Sequence, residues 1–318
     1  MSSILLVKTS SLGDVVHNLP VASDIRRKMP GWEIDWVVEE SFADIPRLHP
    51  AVRDVIPVAV RRWRRSPMSS ATWRELGSWR HALRDRPYDV VLDTQGLIKS
   101  AVLARVARGR HCGFAAEAAR EPLAARFYDA GFVVPRNLHA VERNRWLAAA
   151  ALDYAQDTPL DYGIRSEPLA ADWLPPEPYA VLLTATSRAD KLWPDTHWLA
   201  VCAGLHARGM AAVLPGGSAG ERARARRLTE NARRAVAAPP LAIGQLAGLM
   251  AGARIVVGLD TGLTHLAAAL GVPVVCIFTG SNPLLTGVLR ESGAINLGGP
   301  SAPPGPEEVL QAAGSLLD

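Results

Sequence analysis

The sequence predicts an α/β protein built from two doubly wound halves. Three observations carry that expectation. Segments with strand character alternate with segments of helical spacing from end to end, a pattern that makes parallel sheets with helices on both faces. The alternation breaks once, between Asp157 and Pro178, where Pro159, Pro168, Pro175, Pro176 and Pro178 fall without a long periodic run; such a stretch reads as an interdomain linker. The chain, at 318 residues, also exceeds the size at which a single core keeps growing.

The first half opens with a β-rich run at Ile4–Val7. Helical spacing runs from Ser11 to about Met29 and stops at Pro30-Gly31. Ile34, Trp36 and Val38 alternate like a strand, and Val55–Val58 is a further strand bounded by Pro57. Trp73 to Asp85 is helical, Tyr88–Leu92 reads as a buried strand, and Leu97–Ala107 and Ala140–Leu152 are helical. After the prolines a second series follows. Strands are expected at Tyr179–Leu183, Met210–Leu214, Ile255–Gly258 and Val272–Phe278, with helices at Thr196–His206, Glu221–Arg233, Ile243–Met250, Thr264–Leu270 and Pro306–Leu317.

Composition narrows the class. With 48% hydrophobic and 21% charged residues the chain is an ordinary globular protein, and no apolar run approaches the roughly 18 residues of a membrane span. Met1–Lys8 is too short and too soon interrupted for a signal peptide. Cys112, Cys202 and Cys276 are odd in number and widely spaced, which suggests reduced cytosolic thiols and neither a disulfide frame nor a zinc site. Positive charge is uneven: Arg61-Arg62-Trp63-Arg64-Arg65 has no acid within it, and Trp73 and Trp79 follow. Such a run is either a solvated loop or a surface for an anionic ligand or a membrane interface.

In doubly wound folds ligands sit beyond the carboxyl ends of the strands, here in a cleft expected between two sheets. The loop after Val7, Lys8-Thr-Ser-Ser-Leu-Gly-Asp14, is neither a dinucleotide fingerprint nor a Walker loop. Ser11-x-x-Asp14 reads as a capping box, and Asp14 is equally placed for a general base. After Leu183 come Thr184, Thr186, Ser187, Arg188, Asp190 and Lys191, a surface loop or a phosphate-binding one in which Lys191 neutralises a leaving diphosphate. Pro215-Gly-Gly-Ser-Ala-Gly-Glu221 lets backbone approach a ligand; Glu221 is either first-turn helix charge or a ribose acceptor. Gly258-Leu-Asp260-Thr261-Gly262-Leu-Thr264-His265 follows a strand and opens a helix, and its free amides suit a diphosphate. Asp93-Thr-Gln-Gly96 ends a buried strand, and Arg120-Glu-Pro122 is either an acceptor contact or a helix start. No His-Glu-x-x-His, Gly-x-Ser-x-Gly or metal-ligand spacing occurs.

These blocks form a resemblance. Val7-Lys-Thr-Ser-Ser-Leu-Gly-Asp14, Trp36-Val-Val-Glu-Glu40, Pro57-Val-Ala-Val-Arg-Arg-Trp-Arg64, Asp93-Thr-Gln-Gly-Leu-Ile-Lys-Ser100, Ala119-Arg-Glu-Pro-Leu123 and Asp260-Thr-Gly-Leu-Thr-His265 resemble the lipopolysaccharide heptosyltransferases of glycosyltransferase family 9, type I, from Ile4 to about Leu297. The resemblance implies a GT-B fold, two Rossmann-like domains facing a central cleft. It implies an acceptor-binding domain over residues 1–165, a proline-rich linker over 166–178 and a donor-binding domain over 179–318. It further implies inverting, metal-independent transfer of heptose from ADP-L-glycero-β-D-manno-heptose to Kdo-lipid A, with no cofactor and no nucleic acid. The expected place is the cytoplasmic face of the inner membrane, peripherally.

Carried over by the resemblance, Asp14 is the base and Lys191 stabilises the departing ADP. Thr186, Ser187, Glu221, Asp260, Thr261, Gly262 and His265 join Lys191 in the donor site. Ser10, Arg61, Arg62, Arg64, Arg65 and Arg120 match positions for the anionic acceptor. The chain departs from the family at Ser187, at Pro215-Gly-Gly217 and at Thr279-Gly-Ser-Asn-Pro283, all on the edge of the expected donor pocket. Three alternatives stand beside this reading. A type II heptosyltransferase would use a heptosylated acceptor, a GT-B-like nucleotide-sugar epimerase would need no acceptor, and a non-catalytic protein would dock on anionic lipid through Arg61–Arg65.

Overall fold

A computed structural model describes residues 2–186, 192–300 and 302–318. The chain divides into two compact units, Met1–Ile164 and Arg165–Asp318. The first holds a six-stranded sheet of β1 (Ser3–Val7), β2 (Glu33–Glu39), β3 (Val52–Val58), β4 (Pro87–Asp93), β5 (Arg108–Phe114) and β6 (Ala130–Phe132). The second holds β7 (Tyr179–Leu183), β8 (Ala211–Leu214), β9 (Ala235–Ala237), β10 (Ile255–Leu259), β11 (Val274–Phe278) and β12 (Ala294–Gly298). Strand order is β3-β2-β1-β4-β5-β6 in one sheet and β12-β11-β10-β7-β8-β9 in the other. Read from the third strand of each unit, both follow the same 3-2-1-4-5-6 doubly wound order.

All strand pairs are parallel, with Val7 beside Val37 on one side and Asp93 on the other. Helices on both faces bury the central strands completely. That is why β1, β7, β10 and β11 are apolar at nearly every position and buried along their whole length. All three cysteines are buried, and none forms a disulfide among the described residues.

Several elements differ from the sequence expectation for definite reasons. The helical run from Ser11 is two helices, Leu12–Val16 and Leu19–Lys28, because Pro20 suits the first turn of a new helix and not the interior of a long one. Pro57 lies inside β3, which tolerates it because β3 is an edge strand paired on one side only. Strands β5, β6, β9 and β12 went unpredicted. β5 reads Arg-Gly-Arg-His-Cys-Gly-Phe, and its Gly113 is required because a Cβ there would overlap the Tyr128 ring. β9 and β12 are half-buried edge strands without clean alternation.

The proline-rich stretch is packed on both sides of the division. Before Ile164 it is held by Arg145, which reaches Asp24 Oδ2 at 2.8 Å and the Thr158 carbonyl at 2.6 Å. After Arg165 it joins the second unit, where the Leu169 amide donates to the Gly248 carbonyl at 3.0 Å. The Arg145–Asp24 pair is almost fully buried, with side chains 4% and 1% exposed. Removing one member of such a pair leaves an uncompensated buried charge. Arg145→Met is therefore expected to lower the stability of the first unit by about 3–5 kcal/mol, read from urea unfolding monitored by tryptophan fluorescence.

Candidate active site

In each unit the winding direction reverses between the two central strands, so the loops after β1 and β4, and after β7 and β10, splay apart at the carboxyl edge. The sequence places its polar loops there. In the first unit Gln95 locks the two loops together. Its Oε1 accepts from the Thr9 amide at 2.7 Å and the Thr9 hydroxyl at 2.8 Å. Gln95 is in turn fixed by Asp93, which accepts from the amides of Gln95 and Gly96 and from the hydroxyls of Ser100 and Tyr128. Burial pushes the Asp93 carboxyl up, against the pull of those hydrogen bonds.

Asp14 stands on the first turn of the following helix. Its Oδ2 accepts from the Ser11 amide at 2.8 Å, the Ser11 hydroxyl at 3.1 Å and Arg120 Nη1 at 3.4 Å. Among the described residues Oδ1 has no hydrogen-bond partner. Burial raises its pKa, but the charges of Lys8 and Arg120 and the Ser11 bonds outweigh that and hold the carboxyl below its ordinary value. The capping and general-base readings of Asp14 are compatible: one oxygen caps the helix and the other is uncommitted. Ser10 sits alongside, its hydroxyl accepting from Lys99 Nζ at 2.9 Å.

The arginine block follows β3 at the same edge of this sheet, on a helix spanning Val60–Arg65 and not in a loop. Its balance differs from the sequence reading, because carboxylates arrive from other segments. Arg62 pairs with Glu40 at 2.9 Å and Glu75 at 2.7 Å. The Arg61 amide donates to Glu39, and its guanidinium lies over the Phe42 ring. Arg64 and Arg65 are exposed with no ion pair among the described residues. Trp63 and Trp79 are buried against each other edge to face, and Trp73 is exposed.

In the second unit Asp260, Thr261 and Gly262 join β10 to the helix Gly262–Ala269. Thr261 stands at the N-cap position of this helix without a side-chain capping bond, its hydroxyl lying 3.3 Å from Thr264 Oγ1. His265 is buried, with Nε2 3.5 Å from Asp260 Oδ1; Asp260 Oδ2 also accepts from the Ser281 hydroxyl. After β8, Glu221 Oε2 caps the helix Ala219–Glu230 by accepting from the Gly217 and Ser218 amides at 2.8 and 2.9 Å. Thr186 lies on the loop after β7. Ser187 and Lys191, expected on that loop, lie outside the described residues.

The loop after β7 is gripped at both ends by Arg224, which sequence reasoning missed. It donates to the Thr184 carbonyl, to the Trp193 carbonyl at 2.8 Å and to Asp195 Oδ1 at 2.8 Å. Lys8 was missed as well, although a lysine directly after the apolar run Ile4–Val7 is a usable signal of a buried cation.

Comparison with known proteins is decisive. The sequence profile of glycosyltransferase family 9 (heptosyltransferase) matches residues 76–308. The chain belongs to this family. It is 47% identical over 309 residues to lipopolysaccharide heptosyltransferase 1 of Pseudomonas aeruginosa, covering 94% of this chain and 85% of that one. Among solved structures, E. coli heptosyltransferase WaaC with ADP superposes with a TM-score of 0.91 at 40% identity, covering 99% of both chains. WaaC with ADP-2-deoxy-2-fluoro heptose gives a TM-score of 0.86 at 39% identity, covering 99% of this chain and 98% of that one. This family 9 chain is thus a glycosyltransferase with the two Rossmann-like units of the GT-B class.

The predicted residues of this family 9 member fall into two groups. Ser10, Asp14, Arg61, Arg62, Arg64, Arg65 and Arg120 belong to the first unit, and Thr186, Glu221, Asp260, Thr261, Gly262 and His265 to the second. Gly258 shapes the second group: a Cβ there would come 2.5 Å from Thr264 Oγ1 and 3.0 Å from Leu183 Cβ. Thr264 Oγ1 itself donates to the Leu259 carbonyl at 2.6 Å. Gly258→Ala is expected to force that helix start away from β10 and to destabilise the second unit by about 1–3 kcal/mol, read as a lowered Tm.

Proposed function

We propose that this family 9 chain transfers L-glycero-D-manno-heptose from ADP-L-glycero-β-D-manno-heptose to a Kdo hydroxyl of Kdo-lipid A, with inversion and without a metal ion. The observation that carries the reading is Asp14, an ionised carboxylate with one uncommitted oxygen at the switch point of the first sheet. The relatives support the substrates, since one is named a lipopolysaccharide heptosyltransferase and two solved ones hold ADP or a fluorinated ADP-heptose.

In this reading residues 1–164 bind the acceptor and 165–318 the donor. Asp14 takes the proton of the attacking Kdo hydroxyl as its oxygen bonds to the anomeric carbon. The bond from that carbon to the diphosphate oxygen breaks, and ADP leaves with the electron pair. A single displacement inverts the centre and needs one carboxylate base. Lys191 and the amides of Gly262 and Leu263 stabilise the departing diphosphate. Thr186, Ser187, Asp260, Thr261 and His265 complete the donor site, where the second oxygen of Glu221 accepts from ribose. Ser10, Arg61, Arg64, Arg65 and Arg120 receive the anionic acceptor; Arg62 contributes less, being held by Glu40 and Glu75.

The test is ADP release with donor and acceptor each omitted in turn, with and without EDTA. Release that requires both and ignores EDTA is expected; release without acceptor would overturn the reading. Asp14→Asn should lower kcat by about 10²–10⁴-fold, because a positioned base contributes that much. Calorimetric affinity for ADP-heptose should stay close to that of the native protein, because the base acts only in the transition state.

The acceptor also implies peripheral attachment to the cytoplasmic face of the inner membrane. No helix among the described residues is long and apolar enough to cross a membrane. Helices Val60–Arg65 and Ser70–Arg84 carry seven arginines and one carboxylate. Met68, in the turn between them, is 93% exposed, and Trp73 just beyond is 63% exposed. Cationic stems beside an apolar tip suit an anionic bilayer surface. Arg64→Ala and Arg65→Ala should each weaken binding to vesicles containing phosphatidylglycerol by about fivefold. Sedimentation checks this, and binding that ignores both substitutions counts against attachment here.

A further inference from the structure

After β11 the chain runs through Thr279-Gly-Ser-Asn-Pro283, one of the stretches where it departs from its family, into the short helix Pro283–Thr286. Two polar side chains in this stretch turn in different directions. Asn282 serves its own helix, its Oδ1 accepting from the Leu284 amide at 2.9 Å. Ser281 reaches across 21 positions, and its hydroxyl donates to Asp260 Oδ2 at 2.5 Å. The segment that carries it is anchored further on. Asn296, on β12, accepts from the Val288 amide and donates to the Val288 carbonyl, both at 2.9 Å. The Ser281 hydroxyl is thus presented from a fixed support, as a positioning group must be.

The Asp260 backbone is placed by the sheet. Its amide donates to the Ile277 carbonyl at 3.0 Å, one step beyond the Leu259–Ile277 pair of β10 and β11. That bond fixes where the residue stands but not which way its carboxylate turns. Two side chains bear on the turn: His265 Nε2, 3.5 Å from Oδ1, and the Ser281 hydroxyl on Oδ2. The Asp260 side chain is only 12% exposed, so the oxygens it can offer a ligand are few and their direction matters.

We propose that Ser281 is a positioning residue of the donor site: from the loop after β11 its hydroxyl holds one oxygen of Asp260 and aims the carboxylate at hydroxyl groups of the sugar being transferred. The proposal deepens, and rests on, the reading of Asp260 as a donor-site residue. A carboxylate accepts hydrogen bonds and repels phosphate. Beside a helix start that receives the diphosphate, the ligand groups suited to Asp260 are therefore hydroxyls. Ribose falls to Glu221 in the same reading, which leaves the heptose. Ser281 itself touches no ligand and acts through Asp260.

The test is calorimetric binding of ADP-heptose and of ADP, each without acceptor. Ser281→Ala should weaken ADP-heptose about tenfold, the usual scale for a hydrogen bond to a charged group, and leave ADP within about twofold of the native protein. Ser281→Thr, which keeps the hydroxyl, should restore ADP-heptose binding. Unchanged ADP-heptose binding in Ser281→Ala overturns the proposal. So does an equal loss for both ligands, which would make the loop a general wall of the pocket, and so does a threonine that fails to rescue. Asp260→Ala separates this failure from that of the underlying reading: if it binds ADP-heptose as the native protein does, Asp260 is not a donor-site residue and both fall. In the Asp260→Ala background, removing the Ser281 hydroxyl should add no more than about twofold; a full further tenfold loss there shows Ser281 acting by another route and overturns the proposal. Should Asp260→Ala fail to fold, the Ser281→Ala and Ser281→Thr pair with its ADP control still decides.

Discussion

The parallel ladder is the constraint on which everything else in this protein depends. A parallel strand needs a crossover to reach its neighbour, and the crossovers here are helices that cover both faces of each sheet. Only the carboxyl edge is then left for polar side chains, and it opens where the winding reverses. Asp14 follows β1, Gln95 follows β4, Thr186 follows β7 and Asp260 follows β10. These are the four strands that flank the two switch points. The chain thus concentrates its chemistry where the topology has already withheld core.

A second device recurs in both units. Ser11-x-x-Asp14 and Ser218-x-x-Glu221 each start a helix with an acid that turns back to the preceding amides. In each case a single oxygen carries the capping bonds. The cap holds one oxygen and leaves the other out of the capping bonds, so capping and a site role are not in competition. The cost of orienting the acid is met by amides that needed a partner anyway.

This double use explains what was legible in the sequence. The central strands could be read because full burial makes them apolar runs, and the loops after them because polarity changes abruptly at their ends. Edge strands β9 and β12 and the glycine-bearing β5 carried no such contrast. The arginine block misled in one respect: the carboxylates that engage Arg62 stand 22 and 13 residues away, beyond any local charge count. Gln95, Arg224 and Lys8 were hidden for the same reason. Each acts through a contact between segments that only the folded sheet brings together. Gln95 meets Thr9 across 86 positions, and Arg224 meets Thr184 across 40.

The electrostatics of the first unit fit a base that must be placed and ionised more than strong. A depressed carboxyl is a weak base toward a free hydroxyl. In an oxocarbenium-like displacement, however, the attacking hydroxyl becomes acidic only as its oxygen bonds to the anomeric carbon, so proton transfer comes late. One of the cations that depress Asp14, Arg120, also meets the anionic acceptor on the proposed reading. An acceptor carboxylate or phosphate beside Arg120 would offset part of that positive charge, and Coulomb's law then requires the Asp14 carboxyl to rise. On the proposed reading Arg120, 3.4 Å from Asp14 Oδ2, thus couples base strength to acceptor binding.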